Sequence, residues 1–587
     1  MRFSFFVFSL IFANYFNYSI SQKSPFFSRN FFREFLRKSS NSKSEVCAKA
    51  GCVRGKVESG RVKPYEAFYG IPYAEPPVGK LRFENPVPYA GWKGYWDATY
   101  PRDGCLQKNI FIYTLPISGS EDCLYLNVYR PVYRKKDEKM PVVIYFSAGS
   151  WLSFSSNPSE FGPEYLMDNG EVILVTFNYR LGMFGLLCSG DEAVKGNFAL
   201  KDQQIAMKWV VDNIEYFGGD ANSITLLGYA CGAASIHLHM MNPISQALFQ
   251  RAVLMSGSAI SPWTLVRDFK TQFRQSAQYV GLNDWDTAST FELAYQLKKV
   301  DALSLLTAVD NFFVFVATPP APFTPCIEGN WEGAFLTEDP RVLWAEGRYF
   351  PKPVIIGSTT NEGVLGAVVT RNETLLPILN ENLYTFLPIL LNFPPRYMAE
   401  VLKYYFGDND VIDSSNERQF FQVITDRLFV YPQNSFVNQF ISTADIATTP
   451  IYIYEFDFKS QYTYLRTFTG QDINLGVCHM DDLFYLFTMK EFIPEFDTTS
   501  PEGRMVDVFV RTMVNFAARG EIKDWRRFKP CTPATSTPSC DRQLFLRFKK
   551  EDPNQVMVSV TNEIDTEMIK LWSRIDNGIN AITQNCN

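Results

Sequence analysis

Short apolar runs alternate with amphipathic segments through the middle of the chain. The runs Pro141–Phe146 and Glu171–Phe177 are rich in β-branched residues and have the length of buried strands. Residues 196–216 repeat apolar positions at helical spacing, and the apolar run Ser223–Leu227 precedes a helical segment that starts near Gly232. Strands that alternate with helices predict an α/β fold, in which helices cover both faces of a mostly parallel sheet.

A glycine-framed turn lies between the last of these strands and its helix. The segment Gly228-Tyr-Ala-Cys-Gly232 has the two glycines of the G-x-S-x-G nucleophile elbow, a sharp strand-to-helix turn that exposes an attacking serine. Ala230 occupies the serine position. Its methyl group has no lone pair to attack a carbonyl carbon, and the sequence contains no second G-x-S-x-G segment.

Composition narrows the possible partners. The chain has 587 residues, of which 46% are apolar and 16% aromatic, so we expect a large packed core. Its net charge of −6 and the lack of a basic stripe argue against a nucleic-acid partner. No segment after the N-terminus approaches the roughly 20 apolar residues that a membrane span requires. We expect neither a metal nor a cofactor.

The first residues predict a secretory signal. Arg2 and the apolar run Phe3–Phe12 precede a small-x-small cleavage site at Ser19-Ile-Ser21, and ten apolar residues are too few to span a bilayer. We therefore expect a secreted, extracellular protein. The predicted divisions are a signal peptide (1–21), a poorly ordered leader that could also be a propeptide or a surface-binding arm (22–45), one folded domain (46–576) and a polar tail (577–587).

Five segments carry recognisable signatures in a fixed order. They are 68–83 (FYGIPYAEPPVGKLRF), 120–127 (SEDCLYLN), 178–185 (NYRLGMFG), 196–204 (GNFALKDQQ) and 478–487 (CHMDDLFYLF). Together they resemble the type-B carboxylesterase and cholinesterase family, and the last looks most like the insect esterase branch. The similarity extends from about Val46 to Asp576 and implies one α/β-hydrolase domain with long insertions.

The resemblance also implies the members of a catalytic triad. The family order along the chain is nucleophile, acid, histidine, which places the acid on Glu362 and the base on His479. The nucleophile position is Ala230. The other two histidines, His237 and His239, lie in the helix after the elbow, where we interpret them as packing or surface residues.

The same resemblance assigns the oxyanion hole to the backbone N–H groups of Gly149, Ser150 and Cys231. The family segment His-Gly-Gly-Gly is Ser147-Ala-Gly-Ser150 in this chain. Because serine resists a positive φ, we expect these donors to be displaced or blocked. A thiolate at Cys231 is an alternative nucleophile, but the glycine frame places this residue one position past the tip of the turn.

The eleven cysteines fit an oxidising compartment, as does the glycosylation triplet Asn372-Glu-Thr374. The family resemblance implies a disulfide between Cys105 and Cys123. The remaining pairings stay open. The candidates are Cys47 with Cys52, Cys531 with Cys540 and Cys326 with Cys478; Cys188 and Cys231 are expected as buried thiols, and Cys586 as the candidate for an interchain bond.

The absent nucleophile leads to a functional hypothesis. Neuroligins, neurotactin, glutactin and part of thyroglobulin use this fold for adhesion or assembly, so the resemblance implies a secreted, inactive member that acts in extracellular binding or adhesion. One alternative is a carrier of small apolar ligands in the residual gorge, which Trp92, Trp96 and Trp151 would line unless they are core aromatics. Another is a carboxylic-ester hydrolase with an unconventional nucleophile. The partner, an unknown extracellular protein or small apolar ligand, and the oligomeric state stay open.

Overall fold

Thirteen strands form one sheet in the part of the chain that the structure describes. This computed structural model describes residues 44–109, 116–134, 138–266, 268–407, 409–522, 545–552, 555–561 and 565–584. The strands, β1 to β13, are Ser44–Ala48, Gly51–Ser59, Pro64–Pro72, Tyr95–Asp97, Tyr125–Pro131, Met140–Phe146, Ile173–Phe177, Gly219–Tyr229, Arg251–Met255, Val354–Thr359, Ile451–Asp457, Phe545–Asp552 and Gln555–Thr561.

The strand order confirms a mostly parallel α/β sheet. It runs β1-β2-β3-β5-β7-β6-β8-β9-β10-β11-β12-β13, with β4 paired beside β2. Strands from β7 through β6 and β8 to β12 are all parallel, whereas the β1-β2-β3-β5-β7 end and the β12–β13 pair are antiparallel. This arrangement is that of an α/β-hydrolase, with its elbow at the carboxyl end of β8.

Helices cover both faces of the sheet. Alternate residues of β6 enter two different apolar clusters, Val142 and Ile144 on one face and Val143 on the other, because successive side chains of a strand point in opposite directions. The α-helices, α1 to α17, are Glu164–Asn169, Gly182–Leu186, Phe198–Asn213, Cys231–Met241, Phe269–Tyr279, Thr290–Leu297, Ala302–Ala308, Pro340–Ala345, Ala367–Thr370, Leu375–Glu381, Leu383–Leu391, Met398–Phe406, Glu417–Thr425, Tyr431–Thr443, Tyr464–Thr469, Pro501–Arg519 and Thr566–Gln584. None of the helices in the described residues is long and apolar enough to cross a membrane.

The predicted elements appear with shifted ends. The strand predicted at 223–227 is β8, which starts earlier because Gly219 already pairs with Met140 of β6. The helix predicted over 196–216 is α3 followed by a 3₁₀ turn at Ile214–Phe217. It starts at Phe198 because Asn197 has a left-handed φ of 53° and therefore stands outside the helix.

Both ends of the folded region differ from the predicted divisions. Ser44 and Glu45, which the sequence pattern assigns to the leader, belong to β1 because they pair with Gly55 and Arg54. At the other end, α17 continues to Gln584, so part of the predicted polar tail is helical. The predicted signal peptide, the leader up to residue 43 and Cys531, Cys540 and Cys586 lie outside the described residues.

Two disulfides close short loops in the N-terminal part of the chain. Cys105 is bonded to Cys123, as the family resemblance implies, and Cys47 is bonded to Cys52. The possible pairing of Cys326 with Cys478 is wrong, because the two are unbonded buried thiols with different neighbours. Cys326 is surrounded by Glu328, Lys201 and a different cysteine, Cys188, whereas Cys478 lies beside Asp481 and Glu362. Cys188 and Cys231 are buried thiols, as expected.

Candidate active site

Ala230 lies at the tip of the turn between β8 and α4. Its backbone has φ 48° and ψ −109°. Residues other than glycine rarely adopt this combination, which costs about 1–3 kcal/mol. The Ala230 N–H donates to the carbonyl oxygen of Met255 at 2.8 Å, and its own carbonyl accepts from the N–H of Ala234 at 2.9 Å. The strained elbow conformation is therefore present, and tied to the neighbouring strand, without the serine.

The glycines around the elbow are required by close backbone approach. A Cβ on Gly232 would lie 2.2 Å from the carbonyl oxygen of Phe146, and one on Gly228 would lie 2.6 Å from the carbonyl carbon of Gly232. A Cβ on Gly257 would lie 2.3 Å from the Ala230 carbonyl oxygen. All three distances are shorter than any real contact, so the tight crossing of β8, α4 and the loop after β9 depends on glycine.

Glu362 and His479 are brought together from two loops at the same edge of the sheet. Nδ1 of His479 lies 2.5 Å from Oε2 of Glu362. The other carboxylate oxygen accepts from the Thr359 N–H at 2.8 Å and from the Ser256 hydroxyl at 2.6 Å. Glu362 is fully buried, whereas 12% of the His479 side chain remains exposed. The acid is therefore fully hydrogen-bonded, and the imidazole is held by one nitrogen.

Tyr229 connects the elbow to the loop that carries His479, a role that the sequence analysis missed. Its ring meets the His479 ring edge-on with centroids 5.0 Å apart, and its hydroxyl oxygen accepts from the Met480 N–H at 2.6 Å. Phe429 packs on the histidine at 5.0 Å from another side. Met480 has a left-handed φ of 74°, which this hydrogen bond supports. The only sequence signal was the position of Tyr229 beside Ala230.

A buried carboxyl lies behind the pair. Asp482 accepts from the hydroxyl of Tyr454 at 2.9 Å. Burial, with the neighbouring charge of Glu362 as the second cause, raises the pKa of Asp482 to about 7. The contact of Ser256 with Glu362 depends on the placement of β9 beside β10.

His237 and His239 lie on α4 and are buried in the core of the protein. Both are fully buried, and burial lowers the pKa of each to about 3, so both are neutral. His239 contacts the Ser245 hydroxyl at 2.8 Å and the Gln203 side-chain oxygen at 3.0 Å, while Nδ1 of His237 accepts from the Ala259 N–H at 3.1 Å. Neither takes part in the arrangement around Ala230.

The loop after β6 adopts the left-handed conformation that we expected its serine to resist. The φ angles are 97° at Gly149, 55° at Ser150 and 56° at Trp151. The N–H groups of Leu152 and Ser153 both donate to the Gly149 carbonyl, at 2.8 and 3.1 Å, and these bonds hold the turn. Ser150 therefore has the positive φ that its side chain disfavours, and each such non-glycine residue carries a strain of about 1–2 kcal/mol. Displacement or blocking of the oxyanion donors stays a prediction.

Cys231 is buried under this loop rather than exposed at the turn. Its sulfur accepts from the Trp151 N–H at 3.3 Å and lies 3.7 Å from the carbonyl oxygen of Ser147. Burial raises the pKa of the Cys231 thiol to about 11. The reactive form of cysteine is the thiolate, so this residue is poorly placed to act as a nucleophile at neutral pH.

The tryptophans suggested for a gorge are held in packed positions. Trp151 is fully buried and donates to the Ser235 hydroxyl at 3.0 Å. Trp92 and Trp96 pack on each other with ring centroids 5.6 Å apart and donate to backbone carbonyls. Two cavities of about 10 and 20 Å³ border Phe184, and neither is lined by the triad positions. Each has room for about one water molecule.

Two further features concern ligands and modification. Among the described residues, no group of three or more histidine, cysteine, aspartate or glutamate side chains is placed to hold a metal ion. Asn372 is half-buried, and its side-chain oxygen accepts from the N–H groups of Thr374 and Leu375, each at 3.0 Å, at the start of α10. Its glycosylation stays a prediction.

Comparison with known proteins places this geometry in context. A family model described as the carboxylesterase family matches residues 42–567. Juvenile hormone esterase of Tribolium castaneum is 36% identical over 469 residues, which cover 75% of this chain and 78% of that protein. Venom carboxylesterase-6 of Apis mellifera is 31% identical over 507 residues, which cover 83% of this chain and 88% of that protein. The crystal structure of juvenile hormone esterase from Manduca sexta, with OTFP covalently attached, superposes with a TM-score of 0.78 at 25% identity, covering 91% of this chain and all of that one.

Proposed function

Because the chain belongs to the carboxylesterase family, we propose that it is a secreted, non-catalytic member that acts through extracellular binding or adhesion. A single observation carries the proposal: Ala230 stands at the tip of an elbow whose backbone geometry is otherwise complete. A chain that retained hydrolysis would need a nucleophile there, and Cys231, the adjacent alternative, is buried with a raised pKa.

The size of the expected loss follows from the mechanism of the fold. Acyl transfer proceeds through attack by the serine oxygen, and removing that residue from a serine hydrolase lowers kcat by about 10⁶. What survives, about 10³–10⁴ over water, depends on the oxyanion donors and on substrate binding. Here those donors lie in a loop with two strained non-glycine residues, Ser150 and Trp151. Turnover by the natural chain is therefore expected to be negligible.

Glu362 and His479 have a structural role in this proposal. A carboxylate that is fully buried must be paired, because an unpaired buried charge destabilises a protein by several kcal/mol. Glu362 has three partners, namely His479, Ser256 and the backbone of Thr359. The pair is therefore a buried hydrogen-bonded support that joins β9, β10 and the His479 loop, and its presence alone does not imply turnover.

The enzymatic part is tested with purified protein and 4-nitrophenyl acetate. The natural chain is expected to show no turnover above a buffer control. If turnover appears, Cys231→Ala and Ala230→Gly locate its source. Activity that vanishes in Cys231→Ala and survives in Ala230→Gly would establish the thiol as nucleophile and overturn the proposal.

The extracellular part rests on the two disulfides and on the glycosylation triplet at Asn372. Expression of the full chain in insect cells is expected to deliver the protein to the medium, with a glycosidase-sensitive mass that Asn372→Gln removes. Retention of the protein inside the cell would contradict this part.

The binding part is tested by mass measurement. The purified protein is mixed with extracellular proteins of its source, cross-linked and separated by size. A stoichiometric protein complex supports adhesion or assembly. A small apolar ligand that copurifies at one per chain would favour the carrier alternative.

A further inference from the structure

Two buried thiols outside the candidate active site lie next to each other. Cys188 follows α2, and Cys326 lies in the segment that leads to α8, about 140 residues later in the chain. Cys188 is 1% exposed and Cys326 is 0% exposed. Both are free in the structure. Nothing in the elbow, the acid–base pair or the oxyanion loop uses either of them.

The two sulfurs border the same glycine. A Cβ built on Gly196 would lie 2.7 Å from Sγ of Cys326 and 2.9 Å from Sγ of Cys188. Any residue larger than glycine at position 196 would therefore place a side chain against both sulfurs. Gly196 has a φ of 87°, so its left-handed conformation and its missing side chain are both needed to bring the sulfurs together.

The backbone around the thiols is held in register by a buried polar network. The Asn197 side chain donates to the carbonyl of Cys326 at 2.8 Å and accepts from its N–H at 3.0 Å. Lys201 bonds to the carbonyl of Gly196 at 2.9 Å and forms a buried ion pair with Glu328 at 2.6 Å. These contacts fix the positions of both chain segments, so the two cysteines are held next to each other in the folded protein.

From this arrangement we propose that Cys188 and Cys326 form a third disulfide when the protein folds in an oxidising compartment. The oxidant is a low-molecular-weight disulfide. One thiolate attacks it to give a mixed disulfide and one reduced thiol, and the second cysteine then displaces the other reduced thiol. The two protein sulfurs are oxidised by two electrons, the oxidant's sulfur pair is reduced, and the two protons leave with the released thiols.

The timing of the reaction follows from burial. Burial and the adjacent Cys188 raise the pKa of Cys326 well above its usual value, so the Cys326 thiol is protonated in the folded protein, and burial screens both thiols from oxidants. The bond therefore forms while the segments are still opening and closing during folding. Once formed, it ties the segment after α2 to the one before α8 and resists their separation.

Peptide mapping tests the proposal directly. The full chain is refolded in a buffer of oxidised and reduced glutathione, blocked with iodoacetamide under denaturing, non-reducing conditions and digested. A cross-linked peptide that contains Cys188 and Cys326 is the expected result. Recovery of both as alkylated free thiols, or a link from either to Cys231 or Cys478, would overturn it.

Thermal unfolding of the oxidised protein gives a second readout. Cys188→Ala and Cys326→Ala are each expected to lower Tm by about 3 °C, and the double variant by no more than either, because one bond is lost in all three. Additive losses in the double variant would indicate two independent buried thiols and contradict the proposal. Cys478→Ala, which removes a buried thiol elsewhere, is the control and should add its effect to that of either variant.

Discussion

The two halves of the candidate active site differ in what the fold retains. On one side, Glu362 is fully buried and has three partners, and His479 is held 2.5 Å from it. On the other, Ala230 keeps the strained backbone of a nucleophile elbow and lacks the reacting oxygen. The acid–base half is bound to the packing of three loops, whereas a serine hydroxyl contributes to chemistry and little to folding. The nucleophile can therefore be lost from the elbow while the backbone of the elbow and the Glu362–His479 pair both keep their structure.

The largest expected effect is on catalysis, when a serine hydroxyl is restored at position 230. Ala230→Ser is expected to raise kcat/KM for 4-nitrophenyl acetate about 10³–10⁴-fold, because the elbow and the Glu362–His479 pair are already in place. We expect a shortfall of about 10²–10³ from a normal esterase because of the altered oxyanion loop. Steady-state kinetics measures both values.

The matched control is Ala230→Gly, which leaves the turn without a nucleophile and should gain nothing. A rate for Ala230→Ser equal to that of a normal esterase would show that Ser150 and Trp151 do not limit the donors. No gain at all, with the fold intact, would show that the acid–base half is also incompetent.

The second largest effect tests whether the elbow backbone is part of the architecture. Gly232→Ala is expected to lower the free energy of unfolding by about 3 kcal/mol, because its Cβ would lie 2.2 Å from the Phe146 carbonyl oxygen. Chemical denaturation measures the change. Gly281→Ala, whose Cβ would meet nothing within 4 Å, should cost about 1–2 kcal/mol from its positive φ alone. Equal losses would mean that close packing at the elbow is unimportant.

The sequence predicted the sheet class and the elbow because each is encoded locally, whereas the acid–base pair followed from the resemblance to a known family. The β-branched run 141–146 and the glycine frame 228–232 can be identified within a few residues. The contacts of Ser256 and Tyr229 could not be predicted, since both depend on which strands become neighbours. The positive φ of Ser150 was missed because two hydrogen bonds to the Gly149 carbonyl hold a turn that its own side chain disfavours.

A smaller effect distinguishes the acid from ordinary surface carboxylates. Glu362→Gln is expected to cost about 2 kcal/mol of unfolding free energy, because the amide nitrogen that replaces one carboxylate oxygen cannot accept, so one of the three hydrogen bonds to the acid is lost. Glu346→Gln, an exposed partner of Arg348, should change stability by less than about 0.5 kcal/mol. A loss in Glu362→Gln as small as in this control would remove the structural role proposed for the acid–base half.

The smallest effect concerns pH. Asp482 has its pKa raised to about 7 by burial and by the charge of Glu362, whereas it titrates near 3.9 when unfolded. Between these values the folded state holds a proton that the unfolded state has released, so stability falls as pH rises. Asp482→Asn should therefore gain stability relative to the natural chain as pH rises from about 5 to 6, by at most about 1.4 kcal/mol over that one unit. Urea unfolding at each pH measures the difference, and a pH-independent difference would contradict it.

The central claim, that no nucleophile is available at the elbow, is tested most directly by covalent labelling. The natural chain and Ala230→Ser are incubated with a fluorophosphonate, which phosphonylates activated serines, and intact mass is measured. The account predicts no adduct on the natural chain and one adduct on Ala230→Ser, mapped to residue 230. A stoichiometric adduct on the natural chain, on any residue beside His479, would contradict it.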